Sequence, residues 1–286
     1  MTSHASDMSR LSLCAFADEA DADRHGQIRA LIENRIPYLE IRGVDGVNIA
    51  ALSREAAMQF KAELDAAGIR VRSIGSPAGK TDIHGDFDQD LTQFRHLLDM
   101  AEIFGARYIR LFSFYGTGGD DACFDEVLRR LRVFCDLCQE RGIIPCHENE
   151  KGIYGDIAAR CLKLHEAELR LKAVFDPANF IQCGQDVMEA WNMLSPYVEY
   201  CHIKDALPDG RIVPPGDGIG YLREFLPLFA EQGGEVLTLE PHLAEFVGLR
   251  ALEGDEERSE VGGLAFESNR AAFDHAAMKL REILNT

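Results

Sequence analysis

The sequence predicts an α/β protein that folds as a single (β/α)8 TIM barrel. Short apolar segments rich in branched or aromatic residues recur along the chain, and each is followed by a polar loop and a longer segment of helical period. The predicted strands end 25 to 38 residues apart, close to the roughly 30 residues of one βα unit. No G-x-G-x-x-G signature joins a strand to a helix, so a closed barrel is preferred to an open dinucleotide-binding sheet.

Eight predicted strands supply the barrel wall. They cover residues 11–17, 38–42, 70–74, 108–112, 143–147, 173–175, 198–203 and 236–239. Glycines suited to the left-handed conformation at a helix end precede four of these strands, at Gly68, Gly105, Gly142 and Gly233. The predicted helix ends and strand starts therefore coincide.

The chain is predicted to form one domain over residues 1–286. This length is within the range of a one-domain barrel, and no linker or sharp change of composition divides the chain. A polar N-terminal tail is expected at residues 1–10. The highly charged segment at about 242–263 is expected to be a long eighth loop.

Charge and hydropathy exclude several classes of partner. Lysine and arginine number 30 against 48 aspartates and glutamates, a formal net charge of −18 that repels phosphate backbones and anionic membrane surfaces. The N-terminus is polar, and there is no run of about 18 apolar residues. We therefore expect a cytoplasmic protein with a small-molecule substrate, no nucleic-acid or membrane partner, and a homodimer as the default assembly.

The eight cysteines do not form a disulfide framework. They are spread along the chain without the dense spacing of small secreted domains, so reduced thiols are expected. Cys135 and Cys138 form a C-x-x-C within the helical run at 124–140, but no second pair completes a zinc site. They are predicted to be buried helix cysteines.

Four consecutive predicted strands each deliver a side chain of a metal-ligating type near the carboxyl end. These are Glu148, Asp176, His202 and Glu240. In a barrel of this kind, side chains at the strand ends converge on one pocket. Three carboxylates and one imidazole would repel one another there unless a cation lay among them. The sequence thus predicts one divalent metal, with Mn, Mg or Co as the expected ions. Oxygen and imidazole ligands without thiolate suit these ions or Fe better than they suit a structural zinc.

Alternation along the strands identifies further candidates, because residues two apart share a face. If His202 points inward, so does Lys204, which is predicted to contact substrate. Glu40 and Arg42 also face the interior, where either a buried ion pair or a substrate-binding arginine is expected. His242 follows Glu240 by two residues. It is a candidate substrate contact, and the sequence leaves open whether its side chain overhangs the pocket. His147 lies on the opposite face and is predicted to be packed and hydrogen-bonded.

Three motifs make the chain similar to the xylose-isomerase-like barrel superfamily, specifically its sugar phosphate isomerase/epimerase branch, which includes the ketose 3-epimerases. They are HENEKGIYGD at 147–156, FDPANF at 175–180 and HIKD at 202–205. The resemblance implies that Glu148, Asp176, His202 and Glu240 bind one metal, with Glu148 and Glu240 as the catalytic acid/base pair. Where these epimerases have a substrate-contacting histidine, this chain has Asn179, whose amide can hydrogen-bond a hydroxyl.

The expected reaction is carbon-acid chemistry on a keto-sugar or cyclitol. The leading hypothesis is a metal-dependent sugar isomerase or epimerase that abstracts a proton next to a carbonyl through a metal-bound enediolate. The alternative is a lyase or dehydratase performing β-elimination with the same site. A non-catalytic sugar-binding barrel is less expected, since both glutamates are present. The loop at 205–221 either closes over substrate or presents N–H groups to a phosphate, or is a turn into a helix capped by Asp217.

Overall fold

The computed structural model describes residues 8–246 and 265–285, and its architecture confirms the predicted barrel. Eight parallel strands form a closed barrel with helices around it. We number the barrel strands β1 Ser12–Ala15, β2 Tyr38–Ile41, β3 Arg70–Ile74, β4 Tyr108–Leu111, β5 Ile144–Glu148, β6 Lys172–Phe175, β7 Val198–Ile203 and β8 Val236–Leu239. Each strand pairs with its sequence neighbours, and β1 closes the ring by pairing with β8 from Ser12 opposite Val236 to Ala15 opposite Leu239.

The helices follow the strands in the predicted alternation. They are α1 Arg24–Glu33, α2 Arg54–Ala66, α3 Phe87–Phe104, α4 Phe124–Glu140, α5 Ala158–Ala167, α6 Pro177–Gln182, α7 Val187–Leu194, α8 Leu222–Glu231 and α9 Asn269–Leu284. Short 3-10 turns occur at Met8–Arg10, Ala17–Glu19, Ile49–Ala51, Asp121–Cys123 and Ser195–Tyr197. Two small antiparallel hairpins pair Gly43–Val44 with Val47–Asn48 and Asp205–Ala206 with Ile212–Val213.

The glycines predicted to end helices adopt the required backbone conformation. Gly68, Gly105, Gly142 and Gly233 have φ angles of 73°, 66°, 67° and 93°. A residue with a Cβ is disfavoured in this left-handed region, so glycine allows the chain to leave each helix and turn into the next strand.

Two apolar layers hold the barrel together and define where polar groups can lie. The larger one packs the helices against the outside of the strands. The smaller one fills the barrel interior nearer the amino ends of the strands and consists of Cys14, Tyr108, Cys146, Val174, Tyr200 and Val236. Residues two positions further along the same strands, among them Arg110, Glu148 and His202, therefore also face inward. The interior above the apolar layer is polar and leads to the carboxyl ends of the strands.

Several details refine the sequence predictions. Strand β5 runs one residue further than predicted, so Glu148 is its last residue rather than the residue after it. Cys135 and Cys138 are free thiols buried on α4, as predicted. Most of the predicted eighth loop at 242–263, and most of the tail at 1–10, lie outside the described residues. Within the described residues, no helix combines the length and the apolarity needed to cross a membrane.

Candidate metal centre and active site

The four predicted ligands come together at the carboxyl end of the barrel. Glu148 ends β5, Asp176 follows β6, His202 lies near the end of β7 and Glu240 follows β8. One ligand atom from each lies within 4.8 Å of those of the other three, and all four residues are buried.

Asp176 is fixed by its position at the start of α6. Its Oδ1 accepts the backbone N–H of Asn179 at 3.0 Å, the usual bond of a helix-capping aspartate, and Pro177 occupies the first helical position. Asn149 also holds the Asp176 backbone, donating to its carbonyl at 2.9 Å and accepting its N–H at 3.0 Å. The capping bond uses only Oδ1, so Oδ2 is left for the cluster.

Each of the two glutamates is held by an arginine. Arg110 donates to Oε2 of Glu148 at 3.0 Å, and Arg42 donates to Oε1 of Glu240 at 2.9 Å. The other oxygen of each glutamate contacts Nδ1 of His202, at 3.1 Å from Glu148 Oε1 and 3.2 Å from Glu240 Oε2. Each carboxylate thus has one oxygen bound to an arginine and one oxygen directed to the cluster.

The donor set fits a divalent cation. Asp176 Oδ2 and Glu240 Oε2 are buried and accept no hydrogen bond of good geometry from the described residues. Their charge is met by Lys204, whose Nζ lies 2.9 Å from Asp176 Oδ2 and 3.7 Å from Glu240 Oε2. Buried carboxylate oxygens left in this state are suited to hard-cation coordination.

Mutual charges set the protonation of the cluster. Burial opposes ionisation of Glu148, but the charges of His202 and Arg110 outweigh burial and lower the pKa of Glu148 to about 2. Burial is also overcome at Glu240, whose pKa is lowered mainly by Lys204. Burial raises the pKa of Asp176 to about 6 against the opposing charge of Lys204. The pKa of His202 is raised because the surrounding carboxylates outweigh burial of the ring.

A second acidic group lies beside the first but already contains a protein cation. Glu19, Glu240 and His242 bring ligand atoms within 4.8 Å of one another. Arg42 lies among them and donates to Glu19 at 3.0 Å, to Glu240 at 2.9 Å and to both oxygens of Asp18. The first group also contains a cation, Lys204, but Arg42 uses four N–H donors on the carboxylates around the second group, so the first group is the better candidate for a metal.

The predicted substrate-contacting residues all lie at the cluster, each with a protein partner. Four N–H donors of Arg42 are engaged by the carboxylates named above, one short of the five that a guanidinium has. Asn179 Nδ2 donates to Glu148 Oε1 at 3.2 Å and to the Asn149 carbonyl at 2.9 Å. His242 Nε2 lies 3.4 Å from both Glu19 Oε1 and Glu240 Oε1. Contact of these residues and Lys204 with substrate stays a prediction.

Glu40 and Arg42 do not pair with each other, although both are buried. Arg42 pairs with the carboxylates beside Glu240, whereas Glu40 contacts Nε2 of His202 at 3.2 Å. His147 is packed and hydrogen-bonded to Ser113 at 3.0 Å, as predicted.

The structure bears on two of the three interpretations of the loop at 205–221, and closure over substrate stays a prediction. The carboxylate of Asp205 accepts the backbone N–H groups of Gly216 at 2.9 Å, Gly218 at 3.1 Å and Gly220 at 2.8 Å, so these three donors are not presented to a phosphate. The predicted cap by Asp217 is wrong: Tyr221 occupies the N-cap of α8, and Asp217 instead pairs with Lys279 on α9. The loop therefore folds around the carboxylate of Asp205.

Sequence reasoning missed several groups of the site. The alternation of side chains along β4 places Arg110 inside the barrel, but that position suits an arginine with a purely structural role equally well. Asp18 and Glu19 lie in the turn after β1, and sequence alone does not show which loop carboxylates turn inward. Asn149 follows Glu148 directly and is recognisable only from its bonds to the Asp176 backbone.

Comparison with known proteins agrees with this architecture. The xylose isomerase-like TIM barrel family model matches residues 37–259, and the chain belongs to this family. No curated protein sequence matches the chain.

Three solved structures illustrate the similarity in fold. The probable 3-DHS dehydratase AsbF from Bacillus anthracis has 16% identity and a TM-score of 0.71, covering 96% of this chain and 98% of that one. D-Psicose 3-epimerase from Clostridium cellulolyticum H10, solved with D-tagatose, has 13% identity and a TM-score of 0.70, covering 96% and 99%. The IOLI protein, solved with a zinc atom, has 14% identity and a TM-score of 0.72, covering 96% and 98%. At these identities the similarity establishes the fold and not the reaction.

Proposed function

We propose that the protein is a metal-dependent isomerase or epimerase that exchanges the proton on a carbon next to a carbonyl in a sugar-like substrate. The observation that carries this proposal is the buried convergence of Glu148, Asp176, His202 and Glu240, with ligand atoms within 4.8 Å of one another. Two of the four are glutamates, the residue type that serves as acid and base in such chemistry. The fold shared with an epimerase supports the same class of reaction.

A divalent cation held by these four side chains would polarise a substrate carbonyl and acidify the adjacent C–H. Mn, Mg and Co remain the predicted metals, and zinc is added as a candidate because a structurally similar protein was solved with it. The coordination geometry of the site and the availability of each metal in the cell would then decide which ion is bound.

The surroundings of the two glutamates favour different roles. The pKa of Glu148 is lowered to about 2, the net result of burial opposed by His202 and Arg110, so this carboxylate is ionised and able to accept a proton. Glu240 is also ionised, so it must receive a proton before it can act as an acid. Lys204 Nζ pairs with it at 3.7 Å, and His242 Nε2, 3.4 Å from its other oxygen, is positioned to relay a proton to it. We assign Glu148 as the base and Glu240, once protonated through His242, as the acid.

The same neighbours of Glu240 favour a lyase as the second candidate. Lys204 and His242 could protonate a leaving hydroxyl after Glu148 has removed the proton from carbon, which gives β-elimination instead of epimerisation. The fold shared with a probable dehydratase supports this possibility.

The geometry of the loop at 205–221 argues against a phosphate bound by the glycine N–H groups of that loop. In barrels, phosphate groups commonly bind the backbone N–H groups of the loops after strands seven and eight. Here Asp205 takes the N–H groups of Gly216, Gly218 and Gly220. We therefore propose unphosphorylated keto-sugars and keto-cyclitols as the first substrates to test.

The test is a substrate screen of the metal-loaded protein in deuterium oxide. An epimerase incorporates solvent deuterium next to the carbonyl and gives a product otherwise equal in mass to the substrate, whereas a lyase gives a product lighter by one water or leaving group. Loss of turnover on chelation, with recovery on adding metal, is expected. Turnover that persists unchanged in chelator would refute the proposal.

A further inference from the structure

A buried carboxylate on β2 contacts the side of the His202 ring that faces away from the ligand cluster. Glu40 Oε2 lies 3.2 Å from His202 Nε2, and neither side chain is exposed to solvent. The other ring nitrogen, Nδ1, lies 3.1 Å from Glu148 Oε1 and 3.2 Å from Glu240 Oε2. Glu40 does not belong to either group of candidate ligands. The imidazole ring thus separates Glu40 from the cluster while touching both.

Three hydroxyl groups hold Glu40 in this position. Oε1 accepts from Ser73 at 3.2 Å and from Tyr200 at 3.0 Å, and Oε2 accepts from Thr238 at 2.9 Å. Burial, together with the charge of Glu40, raises the pKa of Tyr200, so the phenol remains protonated and able to donate. Among the described residues, the carboxylate thus accepts from three hydroxyl donors, and its fourth contact is His202 Nε2. Such a carboxylate is well suited to accept the Nε2–H of an imidazole.

Aromatic rings limit rotation of the histidine from its sides. Phe16 meets the His202 ring edge-on with centroids 5.2 Å apart, and Tyr200 packs at 5.6 Å. Tyr200 therefore acts twice, once by packing on the ring and once by donating to Glu40. A ring confined in this way can present only one nitrogen to the cluster.

We propose that Glu40 is a positioning residue for the metal site: it accepts the Nε2–H of His202 and thereby keeps Nδ1 as the nitrogen that offers a lone pair to the metal. A neutral imidazole has one donor and one acceptor nitrogen, so fixing the proton on Nε2 defines the ligand atom and strengthens it as a base. This inference rests on the metal-dependent function proposed above.

The first test measures metal affinity without substrate, by titration calorimetry with Mn²⁺ and Zn²⁺. Glu40→Ala is expected to weaken binding about 10- to 100-fold, the range for loss of a partner behind a metal-ligating histidine. Glu40→Gln keeps an acceptor oxygen and is expected to lose less. The matched control is Glu199→Ala, which removes another barrel-strand glutamate that accepts a tyrosine hydroxyl, that of Tyr108 at 2.7 Å, but has no part in the proposed site, and it should change affinity little.

The second test locates the proton. Long-range proton–nitrogen NMR of the zinc-loaded wild-type protein is expected to show His202 protonated on Nε2, and Glu40→Gln to show whether the tautomer persists once the charge is removed. Thermal unfolding in chelator confirms that each variant folds, and Glu40→Gln, nearly equal in shape, keeps the test available if Glu40→Ala does not.

The outcomes separate this inference from the proposed function. Folded Glu40 variants that bind metal as tightly as wild type would overturn the positioning role, as would a wild-type His202 protonated on Nδ1. A wild-type protein that binds metal but turns over no keto-sugar would contradict the proposed function and leave the role of Glu40 standing. A wild-type protein that binds no metal would overturn both.

Discussion

Replacing Arg42 by lysine tests whether this residue serves the protein or the substrate. Its guanidinium forms four hydrogen bonds to carboxylates, two with Asp18 and one each with Glu19 and Glu240, and only 2% of the side chain is exposed. It also lies 4.3 Å from the ring centroid of Phe16. A lysine ammonium keeps the charge but cannot reproduce the planar fork, so at least one buried carboxylate loses its partner.

The expected loss follows from these contacts. Breaking a buried ion pair by removing one partner costs about 3–5 kcal/mol, and retention of a positive charge places Arg42→Lys near the lower end, at about 3 kcal/mol. An entropy of unfolding of about 2.1 cal/mol/K per residue gives roughly 0.6 kcal/mol/K for 286 residues. The midpoint of thermal unfolding should therefore fall by about 5 °C.

The assay is thermal unfolding in chelator, followed by kinetics of the metal-loaded protein. Arg54→Lys is the matched control, because Arg54 is 63% exposed and pairs with Asp99 at 3.2 Å, a surface contact worth at most about 1 kcal/mol. If Arg42 holds Glu240, kcat should fall together with stability. An Arg42→Lys protein with an unchanged midpoint and a raised KM would refute this reasoning and support direct contact with substrate.

Three further results are expected. Glu148→Gln or Glu240→Gln should lower turnover by at least the 10²–10⁴-fold of a lost general base or acid, measured at saturating metal; near-wild-type rates would remove the two-glutamate mechanism. Asp205→Ala should free the glycine N–H groups of its loop and increase proteolysis there, with an unchanged digestion pattern counting against its role. Burial lowers the pKa of His147 to about 3 and of His165 to about 4. The unfolded chain, in which histidine has its ordinary pKa of about 6.5, therefore binds more protons than the folded chain at acid pH. Each histidine should lower the free energy of unfolding by about 2 kcal/mol between pH 7 and pH 5. Denaturant unfolding of His147→Gln should show a shallower pH dependence, and an unchanged slope would contradict it.

The strands and the four candidate ligands were predictable because both depend on local pattern. Apolar segments of regular spacing, with glycine at the helix ends, place each strand within about two residues of its observed bounds. Once the strands are placed, their carboxyl ends are known, and the barrel brings those ends together. Glu148, Asp176, His202 and Glu240 could therefore be grouped without any knowledge of side-chain contacts.

The partners of these four residues could not be predicted because they depend on which side chains meet across the barrel. Arg42 was expected either to pair with Glu40 or to bind substrate, and parity alone does not reveal that Asp18 and Glu19 turn toward it from the first loop. Asp205 stands in a recognised motif, yet its bonds to three glycines depend on how residues 205–221 fold back on it.

The charges of the barrel interior favour a divalent cation as the partner of the candidate metal site. Among the described residues the connected groups include six carboxylates, namely Asp18, Glu19, Glu40, Glu148, Asp176 and Glu240, and three permanent cations, namely Arg42, Arg110 and Lys204. The excess of negative charge raises the pKa of His202 against the effect of burial, and burial with the neighbouring carboxylates raises that of Asp176 to about 6. His202 therefore tends to keep a second proton, and Asp176 takes up a proton below about pH 6. A divalent cation supplies the same charge while releasing both side chains to coordinate it, so metal binding should release protons and strengthen as the pH rises through 6.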